Sequence, residues 1–155
     1  MKSMKWFFVP IICLFYSFSS NLPAKCGDGI VYALESQTAN DERFTEFQKI
    51  SGKKNSVKFP GGDKTLDKLL REKLVLSEEA KQHVFNLNYY FVVNCDGSVG
   101  EVTVLGDSEV AKWTNIENMI KHTLGWQPAT VNGKSVDCIY FRKLLIQGSD
   151  YALKK

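Results

Sequence analysis

The dipeptide Asp96-Gly97 constrains the fold more than any other feature of the chain, because it separates two runs rich in β-branched and aromatic residues. Asp-Gly in this setting is the strongest short-range signal of a β-hairpin. A two-residue turn sets four pairs of residues opposite each other, namely Cys95 and Ser98, Val93 and Gly100, Phe91 and Val102, and Tyr89 and Val104. One face of the hairpin is then almost wholly apolar, and a slip of one residue would mix the two faces. Residues 87–105 are therefore predicted to form two antiparallel strands.

Helical periodicity flanks the hairpin on both sides. A Pro-Gly-Gly turn at residues 60–62 precedes leucines at helical spacing, which are Leu66, Leu69, Leu70 and Leu74. After the hairpin comes a second apolar stripe, which consists of Ile116, Met119, Ile120 and Leu124. Asn132-Gly133 marks another turn, and apolar residues then alternate as in a strand from about Ser135 to Ile146. These patterns predict an α+β fold in the order helix, strand, strand, helix, strand.

This order restricts how the three strands can pair. The second helix returns the chain, so the third strand runs parallel to the second and fits antiparallel beside the first. We therefore expect a small three-stranded antiparallel sheet in the order 2-1-3, with two helices packed on its apolar face. Strand three lies at an edge of this predicted sheet.

The first 24 residues have the pattern of a secretory signal peptide. Lys2 and Lys5 precede an apolar run at residues 6–18, and a small residue, Ala24, follows at the expected cut. The apolar run is about a dozen residues long, whereas a bilayer span takes roughly 20. This length favours cleavage after Ala24 over retention as a membrane anchor, and it predicts an exported protein.

Three cysteines, Cys26, Cys95 and Cys138, remain after such a cut. Export implies an oxidising compartment in which one pair can form a disulfide, although the connectivity is not readable from sequence. In the 2-1-3 sheet the end of strand one meets the beginning of strand three on the same face. The preferred pair is therefore Cys95 and Cys138, with Cys26 as the odd thiol.

Composition excludes several classes of function. A formal net charge of +3, from 20 basic and 17 acidic residues, is too balanced for a dedicated nucleic-acid binder. The chain has two histidines, His83 and His122, which exclude histidine-rich metal sites and are interpreted as surface or cap residues. A thiol hydrolase built on Cys95 is a weak alternative, because a cysteine near a turn is more typical of a disulfide or a core. No catalytic residue, metal or cofactor is expected.

Three segments together resemble the C-terminal domain of TonB, in the versions common in Bacteroidetes envelopes. The first is Phe59-Pro60-Gly61-Gly62-Asp63 with the leucine helix after it, the second is residues 90–99, and the third is residues 126–136. They follow in the usual order and spacing between Val57 and Ile146.

The resemblance implies a non-enzymatic periplasmic domain of a Gram-negative bacterium, which binds a peptide or plug segment of an outer-membrane TonB-dependent transporter by β-strand addition. Main-chain hydrogen bonds at the exposed edge of strand three would give affinity, and alternating side chains would give selectivity. The expected partner-binding residues are Val136, Asp137, Ile139, Phe141 and Arg142. The expected structural anchors are Trp126, Gly97 and Gly133. An exposed edge also permits pairing between two copies.

The chain departs from a force-transmitting TonB in its N-terminal half. No proline lies between Pro23 and Pro60, so the long proline-rich linker of that family is missing, and Lys143 stands where the family often has proline. The alternative hypothesis is a free-standing exported protein-binding domain without energy transduction. The predicted organisation is a signal at 1–24, a loosely docked or undocked lead-in at 25–56, the domain at 57–147 and a tail at 148–155.

Overall fold

A computed structural model of the chain describes residues 22–27, 29–148 and 150–153. Most of the predicted signal peptide, residues 1–21, and the last two residues of the predicted tail lie outside the described residues.

The described chain forms short helices around a long central hairpin. The strands are β1 (Val31–Leu34), β2 (Gln48–Ile50), β3 (Val84–Val93), β4 (Val99–Leu105), β5 (Ala129–Val131), β6 (Lys134–Gln147) and β7 (Asp150–Leu153). The α-helices are α1 (Glu35–Thr38), α2 (Asp63–Lys73), α3 (Ser108–Lys112) and α4 (Ile116–Lys121). Single 3₁₀ turns cover Glu42–Phe44, Lys53–Asn55 and Ala80–Gln82. Among the described residues, no helix has the length and apolar character needed to cross a membrane.

The strands form one mixed sheet, and this overturns the predicted small antiparallel sheet with two helices. Within the described residues the strand order is β2-β1-β6-β3-β4, and β5 and β7 each pair with β6. β1 runs parallel to both β2 and β6, whereas the other pairs are antiparallel. The sequence did not assign β1, β2, β5 and β7 as strands, because each has only three or four residues, too few for a clear alternation of apolar and polar residues. Every residue of β1 is buried, so its sequence reads as a continuous apolar run.

The predicted register of the hairpin is confirmed at two of its four pairs, whereas the predicted two-residue turn is wrong. Tyr89 lies opposite Val104 and Phe91 opposite Val102, but a shift then places Val93 opposite Val99. Asn94 and Ser98 close the turn, since the N–H of Asn94 donates to the Ser98 carbonyl at 2.9 Å. The loop is therefore Cys95-Asp96-Gly97, a three-residue type that ends in a left-handed glycine.

Gly97 is required both by its backbone angle and by a close contact. Its φ is +80°, and a methyl group added there would lie 2.4 Å from the carbonyl oxygen of Trp126. Trp126 itself is buried against the rings of Phe59, Phe91 and Tyr140, so its backbone has little freedom to move away.

We expect Gly97→Ala to lower the free energy of unfolding by about 3 kcal/mol, because backbone strain and overpacking act together. Gly133→Ala is the matched control, since Gly133 has a φ of +76° but open space around its α-carbon. Strain alone should make the control cost about 1 kcal/mol. Urea unfolding of both variants measures the difference, and equal losses would show that the Trp126 contact is unimportant.

The sheet is covered on both faces. On the first face, α2 and α4 supply Leu66, Leu70, Ile116 and Ile120 to a core with Tyr89, Phe91 and Val93. The second face holds a smaller cluster of buried residues, which are Val31, Ala33, Phe44, Tyr90, Val92, Ile139 and Phe141. Phe44 is central to this cluster, with its ring centroid 5.1 Å from that of Phe141 and 5.6 Å from that of Tyr90. The expectation that residues 25–56 dock loosely or not at all is therefore wrong.

The disulfide joins Cys26 to Cys95, so the predicted Cys95–Cys138 pair is wrong and Cys26 is not the odd thiol. The Cα atoms of Cys26 and Cys95 lie 6.1 Å apart, and Cys138 is a free, buried thiol. The extra residue in the turn is the reason. Cys95 belongs to the loop and not to β3, whereas Cys138 pairs with Val93 inside the sheet and packs in the first-face core.

Candidate functional site

Much of the edge predicted to bind a partner is occupied by the chain itself. β1 pairs with Asp137–Ile139 and β7 pairs with Leu144–Gln147, both on the side of β6 opposite to β3. The short strand β5 pairs with Lys134–Val136. Between β1 and β7, the backbone N–H of Phe141 donates to the side-chain oxygen of Gln37 at 2.9 Å. Because β3 occupies the other side of Cys138–Gln147, the described chain leaves β6 without a long open edge for strand addition.

The side chains predicted to face a partner have structural roles. Ile139 and Phe141 are buried in the second-face cluster, and Val136 is half-buried against the first-face core. Arg142 is 13% exposed, and its Nη2 donates to Asp67 Oδ1 at 2.7 Å. Asp137 is fully buried. The sequence therefore located the long strand correctly and misjudged which of its neighbours would be present.

Arg142 also contacts Tyr140, whose environment stabilises the neutral phenol. Burial raises the pKa of Tyr140 to about 12, although the nearby guanidinium of Arg142 acts in the opposite direction. The Tyr140 hydroxyl accepts from Arg142 Nη1 at 3.2 Å and donates to Asp63 Oδ1 at 3.0 Å. This network ties β6 to α2 and leaves the phenol protonated across the physiological range.

The free edge of the sheet is β4. It ends the strand order, and among the described residues its one strand partner is β3. Its sequence, Val-Gly-Glu-Val-Thr-Val-Leu, contains no lysine or proline, which are the residues that commonly protect an edge from pairing. Glu101 is exposed and the other six residues are half-buried. The opposite edge, β2, has three residues and carries Lys49.

A cavity of about 320 Å³ lies beside β4 on the second face of the sheet. One wall consists of residues 22–25, and the other consists of Val92, Asn94, Gly100 and Glu101. Leu22 and Ala24 pack against the second-face cluster that contains Val92. The chain's own N-terminal segment thus lies on the sheet next to the free edge.

The Asp137 carboxylate holds this N-terminal segment in place. Asp137 Oδ2 accepts hydrogen bonds from the backbone N–H of Lys25 at 2.5 Å and of Cys26 at 2.9 Å. Asp137 Oδ1 accepts one from the backbone N–H of Cys95 at 2.7 Å. The Cys26–Cys95 disulfide links two of these three donors. Sequence reasoning missed this role, and the available signal was one acidic residue inside the apolar alternation of β6.

The side chain of Lys25 adds a second contact to the hairpin turn. Its Nζ donates to Asp96 Oδ2 at 2.6 Å and to Ser98 Oγ at 3.1 Å. Asp96 also accepts from the backbone N–H of Ser98 at 3.0 Å. The bond from Lys25 and those from Ser98 hold the pKa of Asp96 well below its usual value. Asp96 is therefore charged at neutral pH.

The cysteines of the described chain and both histidines take part in structure. In the described part of the chain, the grouping of side chains with metal-ligand spacing is Cys26, Cys95 and Asp137, and its two sulfurs are joined in the disulfide. Burial raises the pKa of the free Cys138 thiol to about 12, and a neutral thiol is a poor nucleophile. The ring of His83 stacks on Trp113, with centroids 5.1 Å apart. His122 Nδ1 lies 2.7 Å from the carbonyl oxygen of Asn118 in α4.

No protein-family model, curated protein or solved structure matches this chain.

Proposed function

We propose that this protein is an exported, non-enzymatic binding domain that accepts an extended segment of a partner protein as an additional strand on β4. The observation that carries this proposal is the β4 edge, seven residues long and at the end of the sheet, without a lysine or proline to block pairing. Unpaired main-chain groups of such an edge supply affinity that depends little on sequence.

Selectivity would come from the alternating side chains of β4 and from the sheet surface beside it. Val102 and Val104 point to the face that carries α2 and α4, and both pack against its core. Glu101 lies on the other face and lines the cavity together with Gly100 and Val92. A partner strand with small apolar residues toward Val92 and Gly100 and no acidic residue beside Glu101 fits this surface best.

The resemblance to the TonB C-terminal domain suggests the partner class, a plug segment of an outer-membrane transporter in the periplasm of a Gram-negative bacterium. The segments that carry the resemblance lie at the beginning of α2, at the β3–β4 turn and at the β5–β6 turn. Since β6 is occupied by the chain itself, we assign the strand-addition site to β4 instead.

A free-standing domain without energy transduction is favoured over a force-transmitting one. Residues 31–50 contribute β1 and β2 to the sheet, and the disulfide ties Cys26 to the hairpin. This segment is therefore folded into the domain, and a chain cut after Ala24 would retain no linker to an inner-membrane motor.

Proline substitution at two neighbouring positions of β4 tests strand addition. Neighbouring N–H groups of a strand point to opposite sides. One of the two variants Val102→Pro and Thr103→Pro therefore removes a hydrogen bond to β3, and the other removes a donor that points outward from the sheet edge. We expect the outward variant to keep its circular dichroism spectrum and to bind at least about tenfold more weakly, or 1.4 kcal/mol. The probes are peptides that cover the plug segments of TonB-dependent transporters from the same genome, measured by fluorescence anisotropy.

The control is Lys68→Glu, an exposed change on α2 that should leave binding unchanged. Unaltered peptide binding by a folded β4 proline variant would contradict the assignment of the edge. If no plug peptide binds, a photo-crosslinking residue at Glu101 identifies the strand's partner in cells. A crosslink to a different envelope protein would then reject the transporter and support the free-standing alternative.

A further inference from the structure

The nitrogen that lies closest to the buried Asp137 carboxylate belongs to Lys25, the first residue after the predicted signal-peptide cut. We propose that cleavage of the Ala24–Lys25 bond converts this nitrogen into an α-ammonium group that forms a buried ion pair with Asp137, so that the stability of the domain depends on processing at this bond. The inference rests on the export part of the proposed function and is independent of any partner.

The geometry already fits an ion pair. Asp137 has no exposed surface, and its Oδ2 lies 2.5 Å from Lys25 N. This separation is shorter than a typical amide–carbonyl hydrogen bond, and charge-assisted bonds are shorter than neutral ones. Three backbone amides donate to this carboxylate, whereas the side-chain ammonium of Lys25 points to Asp96.

The three backbone N–H donors favour the ionised carboxylate, and an opposite charge at the same place would add to them. Burial of a charge is unfavourable unless an opposite charge and hydrogen bonds replace the lost water. An α-amino group has a pKa of about 8 in an unperturbed chain, so it is charged at neutral pH. A cut after Ala24 would therefore place a positive charge 2.5 Å from the Asp137 carboxylate.

The new terminus would stay in place after the cut, because three contacts beside it do not involve residues 1–24. The disulfide anchors Cys26 to Cys95, and the Cys26 N–H donates to the same carboxylate oxygen at 2.9 Å. The side chain of Lys25 is held by Asp96 at 2.6 Å. Ordering a free N-terminus usually costs conformational entropy. Here the three contacts already hold Lys25 in place, so most of that cost does not fall on the ion pair.

The covalent step is a hydrolysis. An endopeptidase of the export machinery adds water across the peptide bond, so the bond from the Ala24 carbonyl carbon to Lys25 N breaks and the water oxygen becomes part of the new Ala24 carboxylate. The Lys25 nitrogen gains the protons that make it an ammonium group. The substrate is the unfolded chain during export, so access to this bond in the folded domain is not required.

The same cut would also clear the surface beside β4. Leu22 and Ala24 pack on the second face, and residues 22–24 form most of one wall of the cavity, with Val92 and Gly100 as part of the other. Their loss exposes an apolar strip of sheet next to the free edge. Processing would thus complete the buried ion pair and vacate the surface assigned to the partner in one step.

The first test is the mass of the N-terminal peptide from protein exported by cells. The expected first residue is Lys25. An exported protein that begins at another residue would overturn this inference and leave the proposed function intact, whereas a chain that stays uncut and is not exported would overturn the export premise of both.

The second test compares two purified proteins that differ by one residue, one beginning at Lys25 and the other at Ala24. The extra residue turns Lys25 N back into an amide and moves the ammonium group to Ala24. The α-carbons of Ala24 and Lys25 are about 3.8 Å apart. We expect the Lys25 form to have a Tm higher by at least about 4 °C. In the Asp137→Asn background the two forms should melt within about 1 °C of each other.

Equal Tm values with Asp137 present, or an equal difference with and without Asp137, would overturn the ion pair. If the Asp137→Asn variant does not fold, the rate at which the α-amine of Lys25 is acylated serves as the test instead. The α-amine of the folded Lys25 form should react at least about tenfold more slowly than that of the unfolded chain, as read from the N-terminal peptide by mass spectrometry. Equal reaction rates would show that this amine is free in the folded protein.

Discussion

Replacement of Asp137 by alanine is expected to lower the free energy of unfolding by about 4 kcal/mol, because three backbone donors lose their acceptor in a buried environment. The donors are the N–H groups of Lys25, Cys26 and Cys95, at 2.5 to 2.9 Å from the carboxylate oxygens. A cavity left by the missing side chain adds to the loss. Urea unfolding of the oxidised protein, followed by tryptophan fluorescence, measures the change.

Asp96→Ala is the matched control, since both carboxylates contact Lys25. Asp96 is exposed and binds Lys25 Nζ at 2.6 Å, so solvent screens that ion pair. We expect the control to lower the free energy of unfolding by less than about 1 kcal/mol. Similar losses for the two alanine variants would contradict the view that burial makes Asp137 the dominant contact of the N-terminal segment.

Reduction of the disulfide is expected to lower the free energy of unfolding by a similar amount, about 4 kcal/mol. Cys26 and Cys95 are separated by 69 residues in sequence, so the bond removes much of the conformational freedom of the unfolded chain. Urea unfolding with and without a thiol reductant measures the effect, and the Cys26→Ser/Cys95→Ser double variant should reproduce it without reductant.

Cys138→Ala separates this pairing from the one expected from sequence. Because Cys138 is free in the structure, the variant should lose packing energy and keep its disulfide. Peptide mapping without reduction should then yield a linked Cys26–Cys95 peptide. A linked Cys95–Cys138 peptide in the unsubstituted protein, or equal stability with and without reductant, would refute the structural assignment.

The wrong predictions of the disulfide and of the second helix have a common physical origin, which is a local departure from regular strand or helix geometry. One extra residue in the turn moved Cys95 out of the strand and away from the face that it was expected to share with Cys138. The stripe of the second helix was read through Leu124, but α4 ends at Lys121 and Leu124 is 81% exposed. Each difference is one or a few residues long, and sequence periodicity does not resolve such a length.

The candidate site was even less accessible from sequence than the fold. Asp137 was singled out as a partner-binding residue of strand three, and its position in β6 is correct. Its role depends on Lys25, Cys26 and Cys95, which lie 42 or more positions away along the chain. The free edge was expected at β6 and lies at β4, because β1 and β7 pair with β6. Both strands come from segments with weak sequence patterns.

The amino-acid sequence by itself determined the local elements: the β3–β4 hairpin with its pairs at Tyr89 and Phe91, the α2 helix with Leu66 and Leu70 inward, and the long β6 strand. These elements depend on periodicity and turn chemistry within some ten to twenty residues, which a sequence states directly. The tertiary structure alone decided which strand edge stayed open, which cysteines met and which backbone donors surrounded Asp137. Those outcomes depend on contacts between distant segments, and the short strands β1 and β2 acquire their conformation only from the sheet that they join.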